Sequence, residues 1–479
     1  MTLLEFLLIE LIIGTGIAAF VIWTLRKKSA RQKAEAQQVA PLLKAHFDPV
    51  LTSDITISER KFPFRVRADL QRAIDRLFDE DTNVLHFCGV SAVYSQKGLS
   101  LTSCFVPDIH SPAVAIPPEY EEVNVGGDDS VRVLKIGLWL LEKNGVRFAV
   151  LLSPIGNFGR ITGLRFQVGT PNSPEGTEIT QQFFRHLEAA IIEAKTYRGK
   201  VLSLEKLEHS YSGESKGINV HQLRTVTRDQ VILPEPTIEL LERNVIQFVA
   251  QRAQLAKYKQ ATKKGILFYG PPGTGKTHTI HYLANELEAH TTLLISAEQV
   301  GMLDEYMSLA RLLQPSIVVL EDVDLIARDR RDMNSACEEV LLNKLLNEMD
   351  GLKQDCEVLF ILTTNRPETL EAALASRPGR VDQAIEFPLP DEAGRKKLIQ
   401  LYATGVSVSD EVVEEVIRRT EKVSASFIKE LVRRSVQFHL ERKGTGDLSS
   451  EDVINALDEM LVRGGSLNLK LLGAEKIAK

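Results

Sequence analysis

The 479-residue sequence predicts an α/β chain, a parallel sheet between helices with a helical lid, preceded by a small α+β domain and by one transmembrane helix. Three observations carry that expectation. A nearly unbroken apolar run opens the chain, strand-like and helix-like periods alternate between about residues 50 and 200, and further on an apolar strand runs into a glycine-rich loop and then a helix. The length suggests roughly three units at about 150 residues each.

Composition places the bulk of the chain among folded globular proteins. Hydrophobic residues make up 44 % and charged ones 25 %, which fits neither disorder nor a polytopic membrane protein. With a net charge of −6 and no long basic stripe to neutralise phosphates, nucleic acid is not an expected partner. Cys88, Cys104, Cys337 and Cys356 are far apart and form neither a CxxC pair nor a metal-ligand cluster, as suits a reducing compartment.

The apolar run extends from Leu3 to Leu25 and is interrupted only by Glu5 and Glu10. At about 1.5 Å per residue it covers a hydrocarbon core of about 30 Å. Arg26, Lys27, Lys28, Arg31 and Lys33 follow it and no Lys or Arg precedes it, so the positive-inside rule puts the N-terminus outside and the remainder in the cytoplasm. A cleaved signal peptide would want basic residues before the run and a small-residue cleavage site after it, and both are missing. Residues 1–28 are therefore read as an anchor in the lipid bilayer through residues 3–25, and the charged, Ala/Gln-rich stretch that follows as a juxtamembrane spacer over 29–49.

Residues 50–205 are expected to form the α+β domain. Leu70, Ile74 and Leu77 have helical spacing, as do Phe183, Leu187 and Ile191, and two β-rich runs flank a hairpin turn at Glu142-Lys143-Asn144-Gly145. No catalytic constellation stands out there, and His86, His110 and His186 lie too far apart in sequence to read as a ligand set. Residues 206–230, with the Ser/Gly/Glu-rich stretch from Glu208 to Ser215, read as a linker.

The chemistry-bearing part follows. The strand-like Gly265-Ile266-Leu267-Phe268-Tyr269 leads into Gly270-Pro271-Pro272-Gly273-Thr274-Gly275-Lys276-Thr277, and His278 opens the helical stretch behind it. Glycines let backbone N–H groups turn inward around phosphates, and a helix N-terminus adds positive potential. In such a loop Lys276 reaches the β and γ phosphates and the Thr277 hydroxyl ligates Mg2+. About fifty residues on, Ile317-Val318-Val319-Leu320 ends in Glu321-Asp322-Val323-Asp324, placing carboxylates where Mg2+ binding and water activation need them. A third apolar run, Val358 to Leu362, ends in Thr363-Thr364-Asn365-Arg366-Pro367, whose polar tip can orient an attacking water. The segment Ser376-Arg377-Pro378-Gly379-Arg380-Val381-Asp382-Gln383 comes next, and from the residues alone its arginines are as consistent with a surface ion pair as with a catalytic role.

With those residues in view, the stretch from about Val231 to Arg463 resembles the AAA family of hexameric ATPases within the AAA+ superfamily. The resemblance implies an α/β subdomain over 231–390, a helical lid over 391–463 and a tail over 464–479, with ATP and Mg2+ as ligands. It implies that Asn365 positions water or senses the γ-phosphate, that Arg380 acts in trans as an arginine finger, and that the chain forms a homo-oligomer, a hexamer. Ser424 to Leu431 resembles the lid segment that packs over adenine. Three departures stand out. The family's Asp-Glu is reversed to Glu321-Asp322, so Asp322 inherits the water-activating place. The second finger arginine falls on Gln383. The stretch between Ile295 and Pro315 is short and has no recognisable aromatic pore loop. The sequence from Leu320 to Asp324 and the short pore region look like those of the mitochondrial inner-membrane AAA chaperones that move the folded Rieske iron–sulfur protein.

The implied function is a membrane-anchored ATPase whose ring remodels or moves protein clients. The alternative is a nucleotide-gated scaffold with little turnover, which the acid order and Gln383 favour. A metalloprotease would need an HExxH helix, which the chain does not contain.

Overall fold

The computed structural model describes residues 38–78, 82–91, 99–106, 112–126, 129–157, 160–194, 196–205, 217–326, 344, 347–351, 355–368, 380–442 and 447–463. They fall into two compact units, one made of the chain up to Thr196 with a return through Gly217, the other of Tyr197–Lys206 and Ile218 onward. Among the described residues no helix is long and apolar enough to cross a membrane. The expected anchor at residues 3–25 and the tail over 464–479 lie outside them.

The first unit is built on a six-stranded antiparallel sheet of order β1-β8-β7-β6-β2-β3. In chain order its elements are α1 (Val39–Phe47), β1 (Ile55–Phe62), α2 (Arg67–Leu77), β2 (Asn83–Ser91), α3 (Leu101–Phe105), β3 (Val114–Ile116), β4 (Tyr120–Gly126), β5 (Asp129–Leu134), β6 (Gly137–Lys143), β7 (Val146–Asn157), β8 (Arg160–Pro171) and α4 (Pro174–Ala194). β4 and β5 pair as a separate ribbon. The β6–β7 hairpin closes on Asn144 and Gly145, both at positive φ (53° and 77°), the left-handed pair a two-residue hairpin loop requires. Its register, with Lys143 opposite Val146, turns Leu138, Leu140, Ala149 and Leu151 into one core with Val39, Leu43, Phe47 and Leu101.

That core corrects one expected boundary. The sequence reading assigns α1 to the spacer over 29–49, but Val39, Leu43 and Phe47 repeat at helical spacing and are nearly fully buried, so the packed unit begins ahead of residue 50.

The second unit contains β9 (Val201–Leu204), β10 (Ile218–His221), α5 (Glu235–Leu241), α6 (Phe248–Lys257), β11 (Lys264–Tyr269), α7 (Lys276–Glu286), β12 (Thr291–Ile295), α8 (Leu303–Leu312), β13 (Ser316–Leu320), the short α9 (Val323–Ile326), β14 (Val358–Thr364) and β15 (Gln383–Glu386). Its seven-stranded sheet has the order β10-β9-β12-β13-β14-β11-β15. Neighbouring strands from β9 to β15 in that order run parallel, and β10 alone is antiparallel. β13 and β14 are buried along their whole length, as parallel strands covered on both faces must be. Ile266, Phe268, Ile317, Val319, Leu359, Ile361, Ile385 and Phe387 form the core on one face with Ile280 and Leu283 of α7. Truncating Phe268, fully buried, to Ala should cost about 3–5 kcal/mol in denaturant unfolding.

Here too the boundaries shift. The sequence reading places β9 inside the α+β domain and β10 inside the linker over 206–230, yet both lengthen the second unit's sheet. Each is only four residues, too short for a period to declare itself, and its identity comes from its neighbour.

A helical lid completes the second unit, with α10 (Glu392–Tyr402), α11 (Asp410–Arg419), α12 (Ala425–Glu441) and α13 (Ser450–Asp458). Each helix starts on a side-chain cap: Asp391, Ser409, Ser424 and Ser449 accept from backbone N–H groups in the first turn, each cap being worth about 1 kcal/mol. The apolar positions expected to form the lid, Leu398, Ile399, Val412, Val416, Phe427, Leu431, Val453 and Leu457, make one core.

The α12–α13 junction is held by charge. Arg442 grips Asp452 at 2.6 Å through both Nε and Nη2, and Ser449 donates to the same carboxylate from backbone and hydroxyl. Arg442 holds the Asp452 carboxyl well below the usual range, against the opposing effect of burial. A carboxyl lowered in the folded state stabilises above its unfolded pKa, and that contribution is lost as pH falls through the folded value. Thermal melts should therefore lose stability progressively below about pH 4, and Asp452→Ala should cost about 2–3 kcal/mol at neutral pH while flattening the acid dependence.

Candidate nucleotide site

β11 ends on the loop Gly270–Thr277, and α7 begins within it at Lys276. Three glycines turn this loop with positive φ: Gly270 at 144°, Gly273 at 77° and Gly275 at 101°. Gly273 is doubly constrained. A Cβ there would meet the Ser424 and Ser426 hydroxyl oxygens at 2.9 Å, and its carbonyl accepts from the Ser426 N–H at 3.1 Å, so the loop's apex closes against the lid helix α12. Thr274 donates to the Pro271 carbonyl at 2.9 Å, whereas Pro271 and Pro272 are exposed.

Lys276 is buried, its Nζ folded back onto the carbonyls of Gly270 (2.8 Å) and Pro271 (2.9 Å). Burial lowers its pKa to about 8, Asp322 and Asp324 working in the opposite direction.

The acids are delivered by β13. Thr277 donates from Oγ1 to Glu321 Oε1 at 2.9 Å, and Glu321 N–H bonds Ile295 O at the end of β12. Asp322 has φ 51°, a left-handed conformation that Asp tolerates better than bulkier residues. It is pinned there by Thr363 Oγ1, which accepts from its N–H at 2.9 Å, and by Asn365 Nδ2, which donates to its Oδ1 at 2.9 Å. Thr277, Glu321, Asp322 and Asn365 thus converge, as the loop and strand ends suggest. Among the described residues no cluster of His, Cys, Asp and Glu could by itself hold a metal. The hydroxyl of Thr277 in contact with the Glu321 carboxylate is nevertheless a pair of hard oxygens of the kind that suits Mg2+.

Asp324 is the residue to which the sequence assigns no separate task. It is 2 % exposed and its Oδ1 accepts from the Thr364 hydroxyl at 3.0 Å and from the Asn365 N–H at 3.1 Å. It fixes the tip of β14 to the start of α9 and so sets where Asn365 stands. The signal is there in outline, an acid in the first helical turn after a buried strand.

Beside the loop lies a cleft lined by Gln230, Val231, Leu233, Tyr402, Ser426 and Lys429, among others. His278 lines it too, with Nε2 at 3.1 Å from the Gln230 carbonyl, and burial lowers its pKa. The expected lid segment, Ser424 to Leu431, supplies Ser426 and Lys429. Tyr402 and the backbone around Gln230 escape sequence reasoning because each lies far away along the chain.

Arg380 stands apart from this group. Its guanidinium pairs with Asp350 at 2.5 Å and donates to Asn347 Oδ1 at 3.3 Å, and the backbone around it is tied to β11 through Asp382, whose Oδ2 accepts from Gly265 N–H. Gln383, in the place of a second arginine, donates to the neighbouring Ala384 carbonyl.

A glycine loop opening a helix, flanked by an acidic strand and a polar strand tip in the order β12-β13-β14-β11-β15, defines a nucleotide-hydrolysing α/β module. Residues 266–389 match the ATPase family associated with various cellular activities, the AAA family. The chain is 30 % identical over 270 residues to a proteasome-activating nucleotidase of Methanoculleus marisnigri, covering 54 % of this chain and 65 % of the relative. It is 31 % identical over 241 residues to the 26S proteasome regulatory subunit 6A of Encephalitozoon cuniculi, 48 % of this chain and 60 % of that one. Against a cell division cycle protein 48 homologue of Archaeoglobus fulgidus the figures are 29 % over 346 residues, 66 % and 44 %. The chain therefore spans less than two-thirds of the length of these relatives.

Gly273→Ala should weaken ATP binding by at least tenfold, equivalent to about 1.4 kcal/mol, because it adds left-handed strain of about 1–2 kcal/mol and pushes the lid serines away. Titration calorimetry with ATP and Mg2+ measures it, and unchanged affinity would contradict the tight closure of loop on lid.

Proposed function

We propose that this chain is a membrane-anchored AAA+ ATPase that couples ATP binding and hydrolysis in a homo-oligomeric ring, a hexamer, to remodelling or moving protein clients. The observation that carries the reading is the contact series at the loop: Thr277 on Glu321, Asn365 on Asp322, and Lys276 held between backbone and acids. In this reading the loop residues Gly270 to Thr277 wrap the phosphates, Lys276 swings from its carbonyls onto the β and γ phosphates, and His278 borders the base. Thr277, Glu321 and Asp322 would hold Mg2+, and the ion would supply charge neutralisation of the phosphate oxygens. Asp322 accepts the proton of the attacking water, and Asn365, fixed by Asp324, aligns that water.

Arg380 would leave Asp350 to reach a neighbouring subunit's γ-phosphate, where an arginine finger stabilises the transferring phosphoryl group. The ring itself is inferred from the family resemblance. The anchor rests on the apolar run at residues 3–25 and the basic residues after it, with the ATPase on the cytoplasmic side. The likeness of Leu320 to Asp324, and of the short segment between β12 and β13, to the chaperones that move the folded Rieske protein supports a similar motor and topology. A scaffold with little turnover is the second reading, favoured by the cis pairing of Arg380 with Asp350 and by Gln383.

Three variants separate these. Lys276→Ala should abolish steady-state ATPase, and Asp322→Asn should keep ATP binding while cutting turnover at least 100-fold, about 2.7 kcal/mol in barrier. Arg380→Ala should abolish turnover in assembled rings and be rescued in mixtures that supply Arg380 from a neighbour. Folded, assembled wild-type rings that release no phosphate would establish the scaffold instead.

A further inference from the structure

We propose that Arg252 of α6, backed by His290, binds a chloride-sized anion at the end of the second unit's sheet away from the glycine loop. Both residues belong to that unit, and the site is independent of the nucleotide reading.

Arg252 occupies a core position. Val249 packs against the core of the sheet, and Arg252 follows it by three residues on the same helix, the spacing that puts two side chains on one face. The arginine is therefore carried inward and is only 4 % exposed. Its Nη1 stands 3.2 Å from His290 Nε2, just ahead of β12. Its Nε and Nη2, sealed from solvent, meet no hydrogen-bond partner among the described residues.

That one contact also fixes the imidazole. A guanidinium only donates, so Nε2 accepts and the proton of the neutral ring sits on Nδ1. Nδ1 is likewise buried without a partner among the described residues, as is the Thr292 hydroxyl two residues on. Burial, reinforced by Arg252, lowers the His290 pKa to about 4, so at neutral pH the ring adds a donor and no charge. The seam between α6 and the start of β12 is thus supplied with N–H groups and short of acceptors.

Nor is the charge of Arg252 balanced at close range. Its Cζ lies 5.5 Å from the Phe248 ring centroid, and Lys264 Nζ lies 4.7 Å from the same centroid, so two cations share one ring. A ring quadrupole attracts a cation without accepting its row of N–H bonds. Glu357, just ahead of β14, acts on Arg252 through space, but it is exposed and does not reach Nε or Nη2.

An unpaired charge in a protein interior is costly, and buried donors are met by protein, ordered water or an ion. A water would bring two hydrogens that need acceptors of their own. An anion brings acceptor capacity alone, together with the balancing charge. One guanidinium calls for a monovalent ion, and nitrogens sealed from solvent call for a small one, which chloride satisfies.

The test is thermal melting of the full-length chain at constant ionic strength, with chloride replacing the bulkier gluconate. The wild-type midpoint should rise by about 3 °C and level off by about 150 mM chloride. In Arg252→Met the rise should fall at least threefold, while Lys276→Ala, which removes the buried cation of the glycine loop, and Glu357→Gln should keep it. Crystals soaked in bromide should show an anomalous peak within hydrogen-bonding distance of Arg252 Nε or Nη2. A wild-type midpoint indifferent to chloride overturns the proposal and leaves water as the partner. A rise undiminished in Arg252→Met, lost in Lys276→Ala, or seen only in Glu357→Gln overturns it too, the last by assigning the counter-charge to that acid. Should Arg252→Met fail to fold, the bromide soak decides, and a peak elsewhere or no peak rejects the site.

Discussion

The register of three parallel strands governs this site. Tyr269 stands opposite Thr364, and Leu320 opposite Leu362, so the strand ends that carry the loop, the acids and the polar tip all emerge on one edge of the sheet. A slip of one residue would turn every side chain of a strand to the other face, and with it the carboxylates away from Thr277. β13 and β14 are buried on both faces, so their apolar pattern does not choose the register, and the polar groups at the strand ends must. Asp324 then locks the last step, because its carboxylate binds the side chain of Thr364 and the backbone of Asn365 together. A buried acid without partners would be costly, so the chain can keep Asp324 only in the arrangement that sets Asn365.

Much of this is legible in the sequence. Long, strongly patterned segments announce themselves: the glycine loop, the three apolar strands, and lid helices in which Val412 and Val416, Phe427 and Leu431, and Val453 and Leu457 recur at helical spacing. The hairpin at Asn144-Gly145 declares itself through two residues suited to positive φ. What stays hidden depends on partners distant in sequence. β9 and β10 are four-residue strands whose only warrant is the sheet they join. α1 has a helical pattern, but its place in the core comes from β6, β7 and α3, on the far side of about fifty to a hundred residues. Arg380 illustrates a different limit, since a sequence shows that an arginine sits on a loop and not which acid it meets.

The lid and the loop form one electrostatic and steric unit. Ser424 is at once the cap of α12 and one of the two hydroxyls against Gly273. Lys429, about a turn and a half further along the same helix, lines the cleft with Tyr402 and sets its ammonium over that ring. The helix that lines this cleft is therefore anchored at its start by contact with the glycine loop. Lid closure and loop shape are coupled through a single glycine.

The inverted acid pair follows from the same geometry. Glu321 is the residue that must cross from β13 to the α7 threonine, and its longer side chain makes that reach at 2.9 Å. Asp322 need not reach far, because its backbone is already turned left-handed and Asn365 and Thr363 hold it from β14. A glutamate in its place would carry one more rotatable bond into a position built around a short acid, losing the fixed angle that Asn365 enforces. An aspartate at 321 would fall short of Thr277 by about one methylene. The order Glu-Asp is thus matched to this backbone, with length used where distance must be covered and shortness where direction must be held.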